Sequence, residues 1–502
     1  MPTTTFANPV LPGFHPDPSV CRVGGDFYLA VSSFEYFPGL PLFHSRDLIH
    51  WRPMGHALDR PGSVALDTAI SSSGIFAPTI RYHDGRFYLI TTDVRGIGNF
   101  VMSATDPAGP WSDPLPIPID GIDPSLLFHE GRVWLTTSAS GQAGILLAEV
   151  DLASGRLLDQ PRLIWKGTGG KYPEGPHLYV RDGWFYLLIS EGGTEPGHMI
   201  TLARSRDIQG PYEACPCNPL LSHRSTDNVL QSTGHGDLVE DAAGRWWMVF
   251  LATRPIGYHG AHHLGRETCL VPVDWPAGEW PSVNGGRPLP KTLTVEAPHK
   301  QPELPAPEVS FGATLGTAWQ FRRYPVADTW SLSRRPGALS LRCHPATLDD
   351  VSPLAFVGRR VQHFTFQAET RLDFVPQHPG EEAGLSVFMN ERYHAECALV
   401  PRDGARVAIL RQRFGRVVAE LGAIPVPGVG PVGIRCTGEP GLVHIAVSYE
   451  GAWHVLGTVE TRHLSTEIAG GFTGTYLGLY ATGGGQNRDS WAAFDGFTYV
   501  PG

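Results

Sequence analysis

The sequence is short of charge, short of basic residues relative to acidic ones, and without a long apolar run. Only 18% of its 502 residues are charged, and 39 Lys and Arg stand against 49 Asp and Glu, for a net charge of −10. Nucleic acid and anionic lipid are gripped by basic surfaces, so neither is an expected partner. No apolar stretch is long enough to span a bilayer, so no membrane partner is expected. The opening Met1-Pro2-Thr3-Thr4-Thr5 has neither the basic cluster nor the apolar stretch of a secretory signal, which makes the expected location cytoplasmic. Cysteine is also scarce: seven are scattered at positions 21, 215, 217, 269, 343, 397 and 436. An odd, dispersed set does not read as a disulfide framework. Cys215-Pro216-Cys217 has a one-residue gap and no second pair to complete a zinc site, so all seven are expected to be reduced and structural. Helical periodicity of any length is missing too.

What the chain has in abundance is turn residues, 59 Gly and 45 Pro, a composition that favours all-β structure with short strands. It also repeats itself. Gly25-Asp26-Phe27-Tyr28, Gly85-Arg86-Phe87-Tyr88, Gly131-Arg132-Val133-Trp134, Gly183-Trp184-Phe185-Tyr186 and Gly244-Arg245-Trp246-Trp247 share one pattern at intervals of roughly 45–60 residues. The Gly suits a hairpin turn and the large apolar pair opens the next strand. A third strand ends near Asp47, Asp106, Asp151, Asp207 and Asp274. Five such units predict a five-bladed β-propeller. Beyond about residue 284 prolines punctuate a linker, and from Phe311 the alternation of strands returns, most clearly over 363–374. That arrangement predicts a propeller over 1–297, a linker over 298–310 and a β-sandwich over 311–502.

In a propeller the first strand of each blade surrounds the central axis. Eight residues before each repeat glycine stand Asp17, Ala77, Asp123, Gly175 and Gly236, the first four each followed by Pro. Asp17 and Asp123 therefore hold equivalent places. Glu174 and His235 lie one residue earlier on their blades, and because side chains alternate along a strand, Glu174 needs a bulge or a strand start to face the axis. Asp before Pro is common turn chemistry taken singly. The shared register is what points to three carboxylates in one pocket, a costly arrangement unless the acids are paired or used.

Asn8-Pro9-Val10-Leu11-Pro12-Gly13-Phe14-His15-Pro16-Asp17-Pro18-Ser19, Gly121-Ile122-Asp123-Pro124-Ser125 and Tyr172-Pro173-Glu174-Gly175-Pro176-His177 resemble the three acid motifs of family 43 glycoside hydrolases. Ser33-Phe34-Glu35-Tyr36-Phe37-Pro38-Gly39 and Phe43-His44-Ser45-Arg46-Asp47-Leu48 add to the likeness, which runs through essentially the whole chain and is greatest for the two-domain β-xylosidases and α-L-arabinofuranosidases. The resemblance implies hydrolysis with inversion, Asp17 as general base, Glu174 as general acid and Asp123 as the acid that tunes and orients Glu174. Inversion needs room for a water, hence a carboxyl separation of ~6.5–9.5 Å. Asp123 close to Glu174 would raise the pKa of Glu174 by like-charge repulsion.

The same resemblance implies Phe34 and Phe76 as aromatic walls, Arg266 and Thr194 as sugar contacts, and Phe472, in Gly470-Gly471-Phe472-Thr473-Gly474, as a plug contributed by the sandwich. A pocket closed in this way admits only a chain end. The expected partner is an oligosaccharide: xylose would be released from non-reducing ends of short β-1,4-xylo-oligosaccharides, or terminal α-L-arabinofuranose from side chains. The chemistry requires no cofactor. His235 matches a channel-floor His beside which some relatives hold Ca2+, although calcium prefers oxygen ligands. His259, His262 and His263 read as a solvated loop. A homo-oligomer is compatible with the sequence. The alternatives are a predominantly arabinofuranose-releasing enzyme, a non-catalytic sugar-binding propeller, against which the presence of all three acids argues, and a retaining fructan hydrolase, whose Asn-Asp-Pro motif is absent because Pro16 precedes Asp17.

Overall fold

A computed structural model of the chain describes residues 3–257, 260–296 and 311–502. Five antiparallel sheets follow one another, one for each sequence repeat. Their innermost strands are Ser19–Val23, Thr79–His83, Ile122–His129, Glu174–Arg181 and Gln231–Glu240. Each pairs with the strand that carries the repeat's apolar pair, such as Asp26–Ala30 or Trp184–Glu191. The architecture is all-β: a five-bladed propeller followed by a concanavalin-like domain.

One buried carboxylate ties the blades together on the axis. Asp237, in the fifth blade, accepts from Ser19 Oγ (2.7 Å) and Val20 N (3.0 Å) of the first, both Nη atoms of Arg81 (2.8 and 3.0 Å) in the second, and Tyr179 Oη (2.7 Å) in the fourth. Arg81 reaches on to His177 Nδ1 (3.0 Å), which also meets Ser125 Oγ of the third blade (2.8 Å). Burial alone would raise the Asp237 pKa, but the Arg81 guanidinium and these donors hold it far below the carboxylate range. A fully buried charge persists here because it is fully bonded.

The N-terminal strand Thr3–Ala7 pairs with Thr292–Glu296, immediately after the fifth blade. The proline-punctuated stretch from 284 thus begins with an ordered strand, and the linker expected over 298–310 lies outside the described residues. The sandwich packs an eight-stranded sheet on a seven-stranded one. In Phe366–Asp373 the buried Phe366, Ala368, Thr370 and Leu372 alternate with more accessible residues, the period-two signature of a strand facing a core on one side. The eight-stranded sheet ends on a propeller segment, Tyr36–Phe37, which pairs with Gln320–Arg322. Tyr36 stacks on Tyr476 of the sandwich at 3.9 Å, and Phe14 and Phe34 share a core with Phe356, Phe388 and Tyr480. The two domains therefore meet through a common hydrophobic interior at the mouth of the propeller.

Two expectations are corrected. Cys215 and Cys217 are joined by a disulfide: the turn at Pro216 brings their Cα atoms to 5.2 Å, inside the range that a bridge needs. The other five cysteines are free and buried. His262 and His263 are not a solvated loop but are buried against the sandwich. His262 bonds Glu467 through its N (3.0 Å) and Nδ1 (2.6 Å), and His263 O accepts from Thr475 N and Oγ1 (2.9 and 2.7 Å). Burial, with His262 and Arg254 nearby, pushes the His263 pKa down to about 3. His259 lies outside the described residues.

Candidate active site

The inner strands begin in distorted backbone, and the acids sit in the distortions. Asp17 and Asp123 both have φ of 54°, Gly175 has 57° and His235 has 48°, left-handed values rare for residues with a side chain. Glu174 is the first residue of its strand, and the pairing register shifts between Glu174 and His177, as it does between Ile122 and Ser125. A bulge re-aims the side chains beside it. This is how Glu174, one residue out of step with Asp17 and Asp123, comes to line the same cavity.

That cavity, of about 80 Å³, is lined by Asp17, Asp123 and Glu174 together with Phe34, Phe76, Thr194, His235, Arg266 and Phe472. All nine residues singled out from the sequence thus surround one space; Ala77 and Ile122 complete it. Phe34 and Phe76 lie 5.2 Å apart between ring centres, and Phe472 faces both at 6.2 and 6.3 Å. Phe472 is held by its backbone: its N donates to Ser72 Oγ (2.8 Å) and its O accepts from Arg266 Nε (3.4 Å). A side chain at the preceding Gly471 would collide with Ser72 Oγ at 2.4 Å, so glycine is what lets this loop close on the propeller. The Thr194 hydroxyl is buried and has no hydrogen-bond partner among the described residues.

The acids differ in their surroundings. Asp17 is clamped by Arg266 Nη1 (2.6 Å) and Nη2 (3.2 Å) and accepts from Ser32 Oγ (2.5 Å). Burial would raise its pKa, but Arg266, His235 and the Ser32 bond together bring it below the ordinary aspartate value. Asp17 stays ionised. Among the described residues Asp123 accepts only from Gly175 N (3.1 Å), and burial, with the negative charges of Glu174 and Asp17, pushes its pKa up to about 7 despite His235. Like-charge repulsion from Glu174 thus acts on Asp123. Asp123 is deep, whereas the Glu174 side chain is 20% exposed. One ionised and one proton-holding carboxyl group in a dry pocket is the pairing that acid–base chemistry uses.

The sequence pattern of glycosyl hydrolases family 43 matches residues 6–281, and that of the β-xylosidase C-terminal concanavalin A-like domain matches residues 311–500. The chain belongs to family 43 of the glycosyl hydrolases. It is a glycosidase. It is 40% identical, over 99% of its own length and 94% of the relative's, to a non-reducing end α-L-arabinofuranosidase of Bacteroides ovatus. With a xylosidase/arabinosidase of Butyrivibrio fibrisolvens it shares 37% identity over 98% of each chain. Among solved structures it superposes on the Bacteroides ovatus protein described as xyloglucan PUL GH43B with a TM-score of 0.96, at 39% identity over 99% of this chain and 100% of the other. It superposes on a xylan β-1,4-xylosidase of Bacillus halodurans with a TM-score of 0.92, at 36% identity and the same coverage.

The residues around His235 do not fit calcium. His235 Nδ1 faces Asp17 Oδ1 at 3.7 Å, and its ring lies on Gly175. Further down the axis come the His177 imidazole and the Arg81 guanidinium, which already neutralises Asp237. Two imidazoles and a fixed cation are not the oxygen cage that calcium takes. Among the described residues no group of three or more His, Cys, Asp or Glu side chains is arranged to hold a metal.

Sequence reasoning missed Ser32 and His198, which touch Asp17 and Glu174. Ser32 had a signal: Ser32, Thr92, Ser138 and Ser190 stand at one fixed distance beyond Gly25, Gly85, Gly131 and Gly183. In four blades that hydroxyl lies at or near the end of the second strand. Nothing in the sequence marks His198.

Proposed function

We propose that the chain is an inverting, exo-acting enzyme that releases single pentoses, xylose from the non-reducing ends of short β-1,4-xylo-oligosaccharides and terminal α-L-arabinofuranose. The observation that carries this reading is the small, walled cavity in which Asp17, Asp123 and Glu174 meet. Roughly 300–1,000 Å³ is usual for a drug-sized ligand, so this cavity suits one terminal sugar ring and not the interior of a polymer. Both pentoses stay in the proposal, because the relatives include an arabinofuranosidase and a xylosidase/arabinosidase.

In this mechanism Asp17, kept ionised by Arg266 and Ser32, takes a proton from water as that water attacks the anomeric carbon. Glu174 gives its proton to the departing glycosidic oxygen, and the anomeric configuration inverts in a single displacement. Asp123 holds a spare proton up to about pH 7 and, bonded to Gly175 N, stands next to the acid. Phe34, Phe76 and Phe472 supply apolar walls, and Thr194 offers a free hydroxyl. The proposed reaction runs on these acids, with no step through a metal.

The test follows the anomer first released from xylobiose by proton NMR, with Asp17→Asn beside the parent enzyme. The expected first product is α-xylose. The substituted enzyme is expected to lose roughly 10²–10⁴-fold or more in kcat while still binding xylobiose in a titration. Initial release of β-xylose would refute inversion, and full activity in the Asn variant would refute the role of Asp17.

A further inference from the structure

His198 stands at the start of Met199–Ser205, the third strand of blade four, and is wholly buried. Its ring fills the space above Gly234, where any side chain would collide: a Cβ there would lie 2.0–2.4 Å from three ring atoms. Gly234 lies in the irregular stretch of Gln231–Glu240, between two register shifts. The fold has thus spent a glycine and a distorted inner strand on admitting an imidazole behind the active site. Among the described residues neither ring nitrogen has an aligned hydrogen-bond partner. Buried polar atoms left unpaired are uncommon and costly. One atom is within reach: Nε2 is 3.1 Å from Glu174 Oε1. The separation is that of a hydrogen bond and only the angle is wrong. Such bonds are often misaligned in empty sites and tighten when substrate turns the carboxyl group.

We infer that His198 is a positioning residue for the general acid: its Nε2–H donates to Glu174 Oε1 and thereby fixes which oxygen carries the proton to be transferred. This rests on the reading of Glu174 as the acid. With Oε1 occupied as acceptor, the proton of the neutral carboxyl group sits on Oε2, on the side away from His198. When Oε2–H passes its proton to the glycosidic oxygen and the bond to the anomeric carbon breaks, Glu174 is left as a carboxylate. His198 keeps its own proton and continues to donate to Oε1. Among the described residues no acceptor faces Nδ1, whereas Glu174 Oε1 lies 3.1 Å from Nε2, so Nε2 is the nitrogen that carries the hydrogen directed at Glu174.

The test is dependence on the leaving group. Glycosidic oxygen in xylobiose needs protonation to depart; dinitrophenolate does not. Full-length H198L, H198Q and E174Q enzymes are compared with the parent on xylobiose and on 2,4-dinitrophenyl β-D-xyloside, with circular dichroism to confirm folding. Removing general-acid assistance costs ~10²–10⁴-fold. H198L is expected to lose at least about tenfold in kcat/KM on xylobiose and little on the dinitrophenyl substrate. H198Q, whose amide nitrogen reaches the position of Nε2, is expected to recover most of the loss. If H198L does not fold, H198N, whose shorter amide leaves that position empty, carries the same expectation. Equal losses on both substrates, or a Gln variant as impaired as the Leu variant, would reduce His198 to filler and overturn the inference. E174Q separates the two levels of the argument. If it discriminates between the substrates and H198L does not, only the role of His198 falls. If E174Q itself does not discriminate, the assignment of the acid falls and takes the inference with it.

Discussion

Asp17 and Asp123 are buried in one pocket, yet their surroundings push them in opposite directions. Asp17 has a bidentate guanidinium and a hydroxyl; Asp123 has a single backbone donor and two carboxyl neighbours. The pH dependence follows. Asp17 loses its proton below the normal aspartate range, so the acidic limb of kcat/KM lies low. Asp123 titrates near 7, so as pH rises through about 7 the pocket loses the proton that Asp123 holds and gains a further negative charge, and the rate is expected to fall. In Asp123→Asn the group that titrates there is gone. The basic limb of the profile, measured over the full range on a natural disaccharide, is expected to shift away from pH 7; a limb that stays in place would mean that Asp123 does not set it. At the same scale, the Arg81–Asp237 pair leaves the channel without need of an added cation. Exhaustive chelation is expected to leave turnover unchanged, and a loss reversed by calcium would contradict that.

At the scale of elements, the pocket depends on a latch between the domains. Glu35 Oε2 accepts from Ser72 N (2.9 Å), and Ser72 Oγ in turn accepts from Phe472 N, so a propeller loop holds the sandwich loop in place. Phe472 is 40% exposed and lines the cavity with an apolar ring that has no proton to give or take, which makes it a wall and not a reactant. Losing a partly buried aromatic face costs on the order of 1–2 kcal/mol of binding. Phe472→Ala is expected to raise KM for xylobiose about tenfold with kcat nearly unchanged, the sign of lost uniform binding. A fall in kcat at constant KM would give Phe472 a part in the chemistry instead. The repeated strands were legible because a glycine turn followed by two large apolar residues announces each hairpin, and the period-two run near 366–373 announces the sandwich. The inward turn of Glu174 was not, because it depends on a bulge set by pairing with Trp184–Glu191. The bond across Pro216 and the burial of His262 were hidden for a similar reason: each depends on what the chain folds against.

The whole molecule behaves as one unit because neither domain finishes its own surface. Tyr36–Phe37 leaves the first blade to become the last strand of the sandwich sheet, and Phe14, Phe34 and Tyr36 complete a core made largely of sandwich residues. Arg323, wholly buried, bonds Ala69 O (2.7 Å) in the propeller and Glu391 Oε1 (2.6 Å) in the sandwich. Ending the chain at residue 296 would expose that apolar face, strand the Tyr36–Phe37 segment without its partner and remove one wall of the pocket. Cooperative unfolding of the whole chain is the expected consequence, since breaking the interface leaves unpaired backbone and open core on both sides. Calorimetry of the full-length enzyme is expected to show a single transition, and the 1–296 fragment is expected to be inactive and to melt earlier, if it folds. Two well-separated transitions, the first leaving activity intact, would mean that the propeller completes its site alone; the shared strand and the Phe472 wall would then be incidental to catalysis.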